Sequence, residues 1–151
     1  MSADATMPSL AIAPIADADV TDVIALWQAC GLTRPWNDPA ADIALARRGP
    51  GSAVLVGRDD NAIVATAMVG HDGHRGWVYY VAVAPDRQGQ GFGRTMMAAA
   101  EDWLRQAGVP KLQLLVRREN AKAGAFYQSL GYEESTSVML AKWLDGREAT
   151  P

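Results

Sequence analysis

Apolar residues recur along this chain with two different spacings. Val20, Val23, Ile24 and Trp27 fall three or four apart, as on one face of a helix. Asp17 precedes them as an N-cap and Gly31 follows as a stop. Asp38-Pro39 opens a second, short helix that Arg47-Arg48-Gly49-Pro50 ends. Phe92, Met96, Ala100, Trp103, Leu104 and Ala107 form a third helical stripe, stopped by Gly108. Ala123, Phe126, Tyr127 and Leu130 form a fourth, within Asn120 to Leu130, with Gly131 as its C-cap.

Between these stripes lie short runs that read as strands. They are Leu10 to Ile15, Ser52 to Gly57, Ile63 to Gly70, Trp77 to Ala84 and Leu112 to Val116. Tyr132 begins a last strand region, which Val138 to Trp143 closes. Asp59-Asp60-Asn61 and His71 to Gly76 are the turns of two hairpins. The predicted order is β-α-α-β-β-β-α-β-α-β. Antiparallel hairpins ahead of two β-α units indicate an α+β fold with a mixed, mostly antiparallel central sheet flanked by helices. One domain over 10–144 is expected, with flexible tails at 1–9 and 146–151.

Composition narrows the function classes. The chain has 151 residues, a formal charge of -3 and a pI near 5.3. That balance argues against a nucleic-acid-binding module, which carries a clustered basic face. No apolar run reaches the roughly 20 residues that cross a bilayer, so no membrane partner is expected. Met1 to Pro14 lacks the basic start and long apolar core of a secretory signal, and the cytoplasm is the expected compartment. Cys30 is the one cysteine, which excludes a disulfide framework and a multi-cysteine zinc site. No metal is expected, and Cys30 reads as a packed thiol.

The most informative segment is Val81-Ala82-Val83-Ala84-Pro85-Asp86-Arg87-Gln88-Gly89-Gln90-Gly91-Phe92-Gly93-Arg94. It runs strand, proline, glycines at alternate positions, helix. Glycines allow positive φ and close approach of backbone to ligand. Successive N–H groups can converge on an anion at the start of the helix. A pyrophosphate suits such a site. A dinucleotide site needs G-x-G-x-x-G, but the last position here is Arg94. A nucleotide P-loop needs Gly-Lys-Ser/Thr, and the chain has Gly93-Arg94-Thr95. A tight turn whose glycines serve only packing is the plain alternative.

Gln88-x-x-Gly91-x-Gly93, directly after the strand and Pro85, resembles the acetyl-CoA signature of the GNAT acetyltransferases. Asn120-Ala121-Lys122-Ala123-Gly124-Ala125-Phe126-Tyr127, followed by Leu130-Gly131-Tyr132, resembles that family's second block. The likeness covers Leu10 to Leu144. Two loops, Arg34 to Pro39 and Gly70 to Gly76, look like those of the bacterial YpeA-type acetyltransferases. The resemblance implies an enzyme that moves an acetyl group from acetyl-CoA to a primary amine and releases CoA. A non-catalytic acyl-CoA-binding or regulatory module is the alternative.

The resemblance also implies roles. Val81 to Val83, Ala82 included, lie on a splayed strand whose backbone holds the pantetheine arm. The N–H groups of Gln88, Gly89, Gln90, Gly91, Phe92, Gly93 and Arg94 hold the pyrophosphate, with charge from Arg94 and more weakly Arg87. The Val81 N–H polarises the thioester carbonyl. Tyr127 resembles the family's general acid, though its spacing also fits a core tyrosine. Asn120 contacts the CoA arm or simply caps its helix. The general base is open, because Trp77 to Ala84 carries no acid and position 115 is Leu. His71, Asp72 and His74 are candidates, although His-Asp-Gly-His also reads as a polar turn. Tyr79, Tyr80 and Glu119 are others. Arg34, Trp36, Asn37 and Tyr79 are candidates for the acceptor wall. Trp36 is equally a core plug or the contact of a homodimer.

Overall fold

The computed structural model describes residues 9–148 and divides into two compact units at Leu115/Val116. The expected tails fall largely outside the described residues. In the first unit, β1 (Ala11–Pro14), β2 (Ser52–Asp59), β3 (Ala62–His71), β4 (Gly76–Val83) and β5 (Leu112–Gln113) form one sheet in that order. The first three pairings are antiparallel and β4–β5 is parallel, so the sheet is mixed as expected. The unit's helices are α1 (Val20–Ala29), α2 (Pro39–Ala46) and α3 (Phe92–Gln106).

Alternation along the strands assigns the two faces. Val54 and Val56 of β2 join Val23, Leu26 and Trp27 of α1 and Ile43 and Ala46 of α2 in one core cluster. Gly57, the next residue on β2, points the other way: a Cβ there would lie 2.9 Å from the Met96 sulfur of α3. Phe92, Met96, Met97, Ala100 and Leu104 are the buried stripe of α3, close to the predicted one. The sheet is thus covered by α1 and α2 on one face and by α3 on the other.

Local chemistry sets the helix starts. Asp38 caps α2, accepting from the N–H groups of Ala40 (3.0 Å) and Ala41 (3.2 Å), with Pro39 first in the helix. Asp17 does not cap α1. A 3-10 turn over Asp17–Asp19 intervenes, and the Asp19 carboxylate accepts from Ala16 N–H at 2.9 Å. Asp17 instead pairs with Arg47 at 2.8 Å.

The second unit holds α4 (Ala121–Ser129), whose start Asn120 caps by accepting from Ala123 N–H at 3.1 Å. Two expectations fail at the C-terminal side. β5 ends at Gln113 rather than Val116. No ladder forms over Val138 to Trp143, the expected last strand. Val138 is 83% and Leu140 92% exposed there. An extended apolar run becomes a strand only when its backbone groups meet a partner edge, and β-propensity alone does not supply one.

Candidate active site

β4 changes register partway along. Gly76 to Tyr79 pair with His71 to Met68, and Ala82 and Val83 pair with Thr66 and Ala65. Ala67 therefore faces both Tyr80 and Val81, which makes a β-bulge. Tyr80 has φ +51°, a left-handed conformation rare for a bulky residue. The extra residue reverses the side-chain parity of the strand. Gly76 faces Leu104 of α3 before the bulge, whereas Tyr80 stacks on Trp27 of α1 and Ala82 joins the α1–α2 core.

The other edge of β4 is open over most of its length. β5 pairs only with Gly76 and Trp77, so among the described residues no strand pairs with that edge from Val78 to Val83. Ala84 N–H donates to Val64 carbonyl at 2.8 Å on the β3 side. By the antiparallel alternation Ala82 also faces β3, while Val83, and Val81 two residues earlier, turn toward the open edge. The Val83 carbonyl accepts from the Cys30 thiol at 3.2 Å and the Gln88 side-chain amide at 3.3 Å. Burial raises the Cys30 pKa above the ordinary thiol value. Cys30 is thus a half-buried thiol turned toward the strand.

Beyond Val83 the chain makes a 3-10 turn over Pro85–Arg87 and then the glycine turn. Gly89 and Gly91 both have φ +82°, and a Cβ at either would meet nothing within 4 Å. The turn therefore leaves open space on its outer side, and Gly91 caps α3 from the left-handed region. The first N–H groups of α3 have no intrahelical acceptor and point along its axis with the helix dipole. Arg94 is exposed in this first turn. Arg87 is committed elsewhere: its guanidinium pairs with Asp59 and lies 5.3 Å from the Phe92 ring centroid. It anchors the turn to the β2–β3 hairpin, so the weaker phosphate role expected for it is not supported by its contacts.

The remaining sequence candidates fall in separate places. His71 ends β3, and Asp72 and His74 lie in the turn that follows; His71 is four residues, or about 13 Å of strand, from Ala67 at the bulge. His71 Nδ1 accepts from Gly73 N–H at 3.1 Å. Asp72 Oδ1 accepts from His74 N–H (2.9 Å) and Arg75 N–H (2.8 Å). These bonds, from Arg75 first and His74 next, hold the Asp72 carboxyl below its usual pKa. The trio is built as a polar turn. Arg34 donates to the carbonyls of Gly31 (2.7 Å) and Thr33 (3.0 Å), closing the α1–α2 loop that also carries Trp36 and Asn37. Tyr79 lies beside the bulge, 49% exposed, with burial of its remainder raising its pKa.

In the second unit, Tyr127 packs edge-on with the rings of Phe126 (5.0 Å between centroids) and Tyr132 (6.0 Å). Burial pushes its hydroxyl above the ordinary phenol value. Asn120 caps the same helix.

From the sequence Tyr80 is only a possible base, and Trp27, Thr66 and Asp42 carry no expected role in the site. The structure brings these four together at the bulge. The Tyr80 hydroxyl donates to Asp42 Oδ2 at 2.7 Å. Burial first, then that bond and the charge of Asp42, push its pKa well above the phenol range. Among the described residues no group of three or more His, Cys, Asp or Glu side chains could hold a metal, and no helix is long and apolar enough to cross a membrane.

The model of the acetyltransferase (GNAT) family matches residues 20–132. An acetyltransferase of Yersinia enterocolitica is 41% identical over 127 residues, 84% of this chain and 90% of that protein. The ribosomal-protein-S18-alanine N-acetyltransferase of Escherichia coli superposes with a TM-score of 0.71 at 27% identity, over 84% of this chain and 79% of that one. An aminoglycoside N-acetyltransferase in complex with CoA superposes with a TM-score of 0.76 at 16% identity, over 91% and 96% of the two chains.

Proposed function

The chain belongs to the GNAT acetyltransferase family and transfers acetyl from acetyl-CoA to an amine, and we propose that the open β4 edge and the glycine turn hold the acetyl donor while Tyr127 protonates the leaving thiolate. The observation that carries this reading is the strand edge left unpaired from Val78 to Val83, immediately before a left-handed glycine turn. Free amides on a strand edge bind an extended chain as an added strand would. The pantetheine arm is such a chain. The Val83 N–H holds it, while the Val83 carbonyl keeps its bonds from Cys30 and Gln88. The amides from Gln88 to Arg94 hold the diphosphate, and Arg94 adds charge at the solvent side.

At the bulge the Val81 N–H faces the acyl carbonyl oxygen. Negative charge grows on that oxygen as the amine attacks, and a fixed donor stabilises it more than it stabilises the ground state. Tyr127 keeps its proton at neutral pH, as a phenol with an ordinary pKa near 10 does and as burial reinforces, so the proton is available when the thiolate forms. Tyr80 is also a protonated donor under these conditions, which argues against a base role. Ala82 faces β3 and contributes packing. The family match spans elements of both units, which supports reading 10–144 as one catalytic domain.

The acceptor we propose is an α-amine. β4 carries no carboxylate, and the His71 ring is bonded to Gly73 N–H within its own turn, away from the bulge. An α-amine, with its pKa near 7.7 to 8.0, needs less deprotonation than a lysine near 10.4. The likeness to a ribosomal-protein-S18-alanine N-acetyltransferase supports the same class, since an alanine side chain carries no amine.

Amine-dependent CoA release, followed as free thiol, tests the proposal. Peptides with free N-termini are expected to outperform N-blocked lysine peptides at pH 7.5. Tyr127→Phe is expected to lower kcat by about 100-fold or more with acetyl-CoA affinity retained. An unchanged kcat in that variant removes Tyr127 from the mechanism. Tight binding of acetyl-CoA without turnover on any amine would favour the regulatory module.

A further inference from the structure

Tyr80 is the bulge residue, and its backbone sits at φ +51° with a large side chain attached. Such a conformation is disfavoured for L-residues and persists only where its surroundings fix it. Four contacts from three other elements do so. The Trp27 ring of α1 lies parallel to the Tyr80 ring, with centroids 3.7 Å apart and planes 6° apart. Trp27 Nε1 donates to Thr66 Oγ1 of β3 at 2.8 Å. Thr66 Oγ1 donates to the Tyr80 carbonyl at 2.9 Å. Asp42 of α2 accepts from the Tyr80 hydroxyl at 2.7 Å. Trp27 and Thr66 are both 0% exposed.

The direction of this chain of hydrogen bonds is fixed by chemistry. An indole N–H can only donate and a carbonyl can only accept, so the threonine hydroxyl has one way to serve both. It therefore fixes the Tyr80 peptide plane from below, while the stacked ring and Asp42 fix its side chain. The peptide so fixed joins the Tyr80 carbonyl to the Val81 N–H. Tilting it tilts the amide offered to the acyl oxygen.

We propose that Trp27, Thr66 and Asp42 are positioning residues that hold Tyr80 in its left-handed conformation and thereby aim the Val81 N–H at the thioester carbonyl. The proposal rests on the acetyl-transfer reading and adds to it the parts that preorganise its donor. None of the three needs to touch either substrate. Thr66 is the decisive one, because Val has its shape without its hydroxyl, and would leave the Trp27 N–H and the Tyr80 carbonyl without partners.

The test compares Thr66→Val, Thr66→Ser and Trp27→Phe with the wild type. Four quantities are measured on each: kcat, KM for acetyl-CoA, Kd for CoA and Tm. CoA lacks the acyl carbonyl, so its binding reports the arm and diphosphate sites alone. Thr66→Val and Trp27→Phe are expected to lose on the order of 10- to 100-fold in kcat. Kd for CoA is expected to stay within about twofold, since uniform binding is untouched. Thr66→Ser is expected to restore kcat. A packing role alone would lower Tm in Thr66→Val and leave kcat per folded molecule at the wild-type level, and that result overturns the proposal. Trp27→Phe removes the indole N–H together with some buried ring volume, so it carries the same comparison, read as kcat per folded molecule, if Thr66→Val does not fold. A wild type with no amine-dependent turnover would sink the parent reading instead, which separates the two failures.

Discussion

Gly89 and Gly91 show how one residue type can be required for backbone rather than for space. Nothing lies within 4 Å of a Cβ at either position, so alanine would collide with nothing. Its cost would come from φ +82° alone, about 1–2 kcal/mol for a non-glycine residue. Gly91→Ala is therefore expected to weaken acetyl-CoA binding through relaxation of the turn, read as a higher Kd by calorimetry. An unchanged Kd would show that the turn's left-handed geometry is not used. Gly76 is the opposite case. A Cβ there would lie 2.4 Å from Leu104 Cδ1, and Leu104 is itself buried. Gly76→Ala is expected to destabilise the fold by about 1–3 kcal/mol, seen as a lower Tm, through overpacking. Tyr80 and Tyr127 add a pH dependence. Both have folded pKa values raised above the unfolded value near 10. Above that pH the unfolded chain releases these protons first, so stability falls as pH rises from about 10 upward. Tyr80→Phe is expected to make this alkaline decline shallower in denaturant titrations. An unaltered slope would place the Tyr80 hydroxyl in ordinary solvent.

At the level of elements, β4 contains both what the sequence tells and what it hides. The strand, its proline stop, the glycine turn and the start of α3 are all local signals and could be read residue by residue. So could the Asp38-Pro39 and Asn120 helix starts, where a side chain caps its own neighbours. The bulge could not. Trp77 to Ala84 reads as one uninterrupted strand, because a bulge is a property of the pair and Ala67 on β3 supplies the other half. With it went the parity switch that sends Tyr80 and Ala82 to the α1–α2 face. Trp27, Thr66 and Asp42 were unreadable as a group for the same reason: 39 residues separate Trp27 from Thr66. A threonine alone among the apolar residues of β3 was the available hint, since a buried hydroxyl needs partners. The strand expected over Val138 to Trp143 erred in the other direction. Composition suggested it, and no ladder formed to make it one.

The molecule as a whole consists of two compact units. The first carries the open edge, the bulge and the glycine turn, and the second carries Tyr127. On the proposed reading, binding of the acetyl donor rests on backbone amides of the first unit. Residue-resolved amide hydrogen exchange, with and without acetyl-CoA, tests that most directly. The N–H groups of Val83 and of Gly89 to Arg94 are expected to gain protection on binding, while Ala82, already facing β3, stays unchanged. Saturating acetyl-CoA with no added protection at Val83 or in the glycine turn would contradict the account.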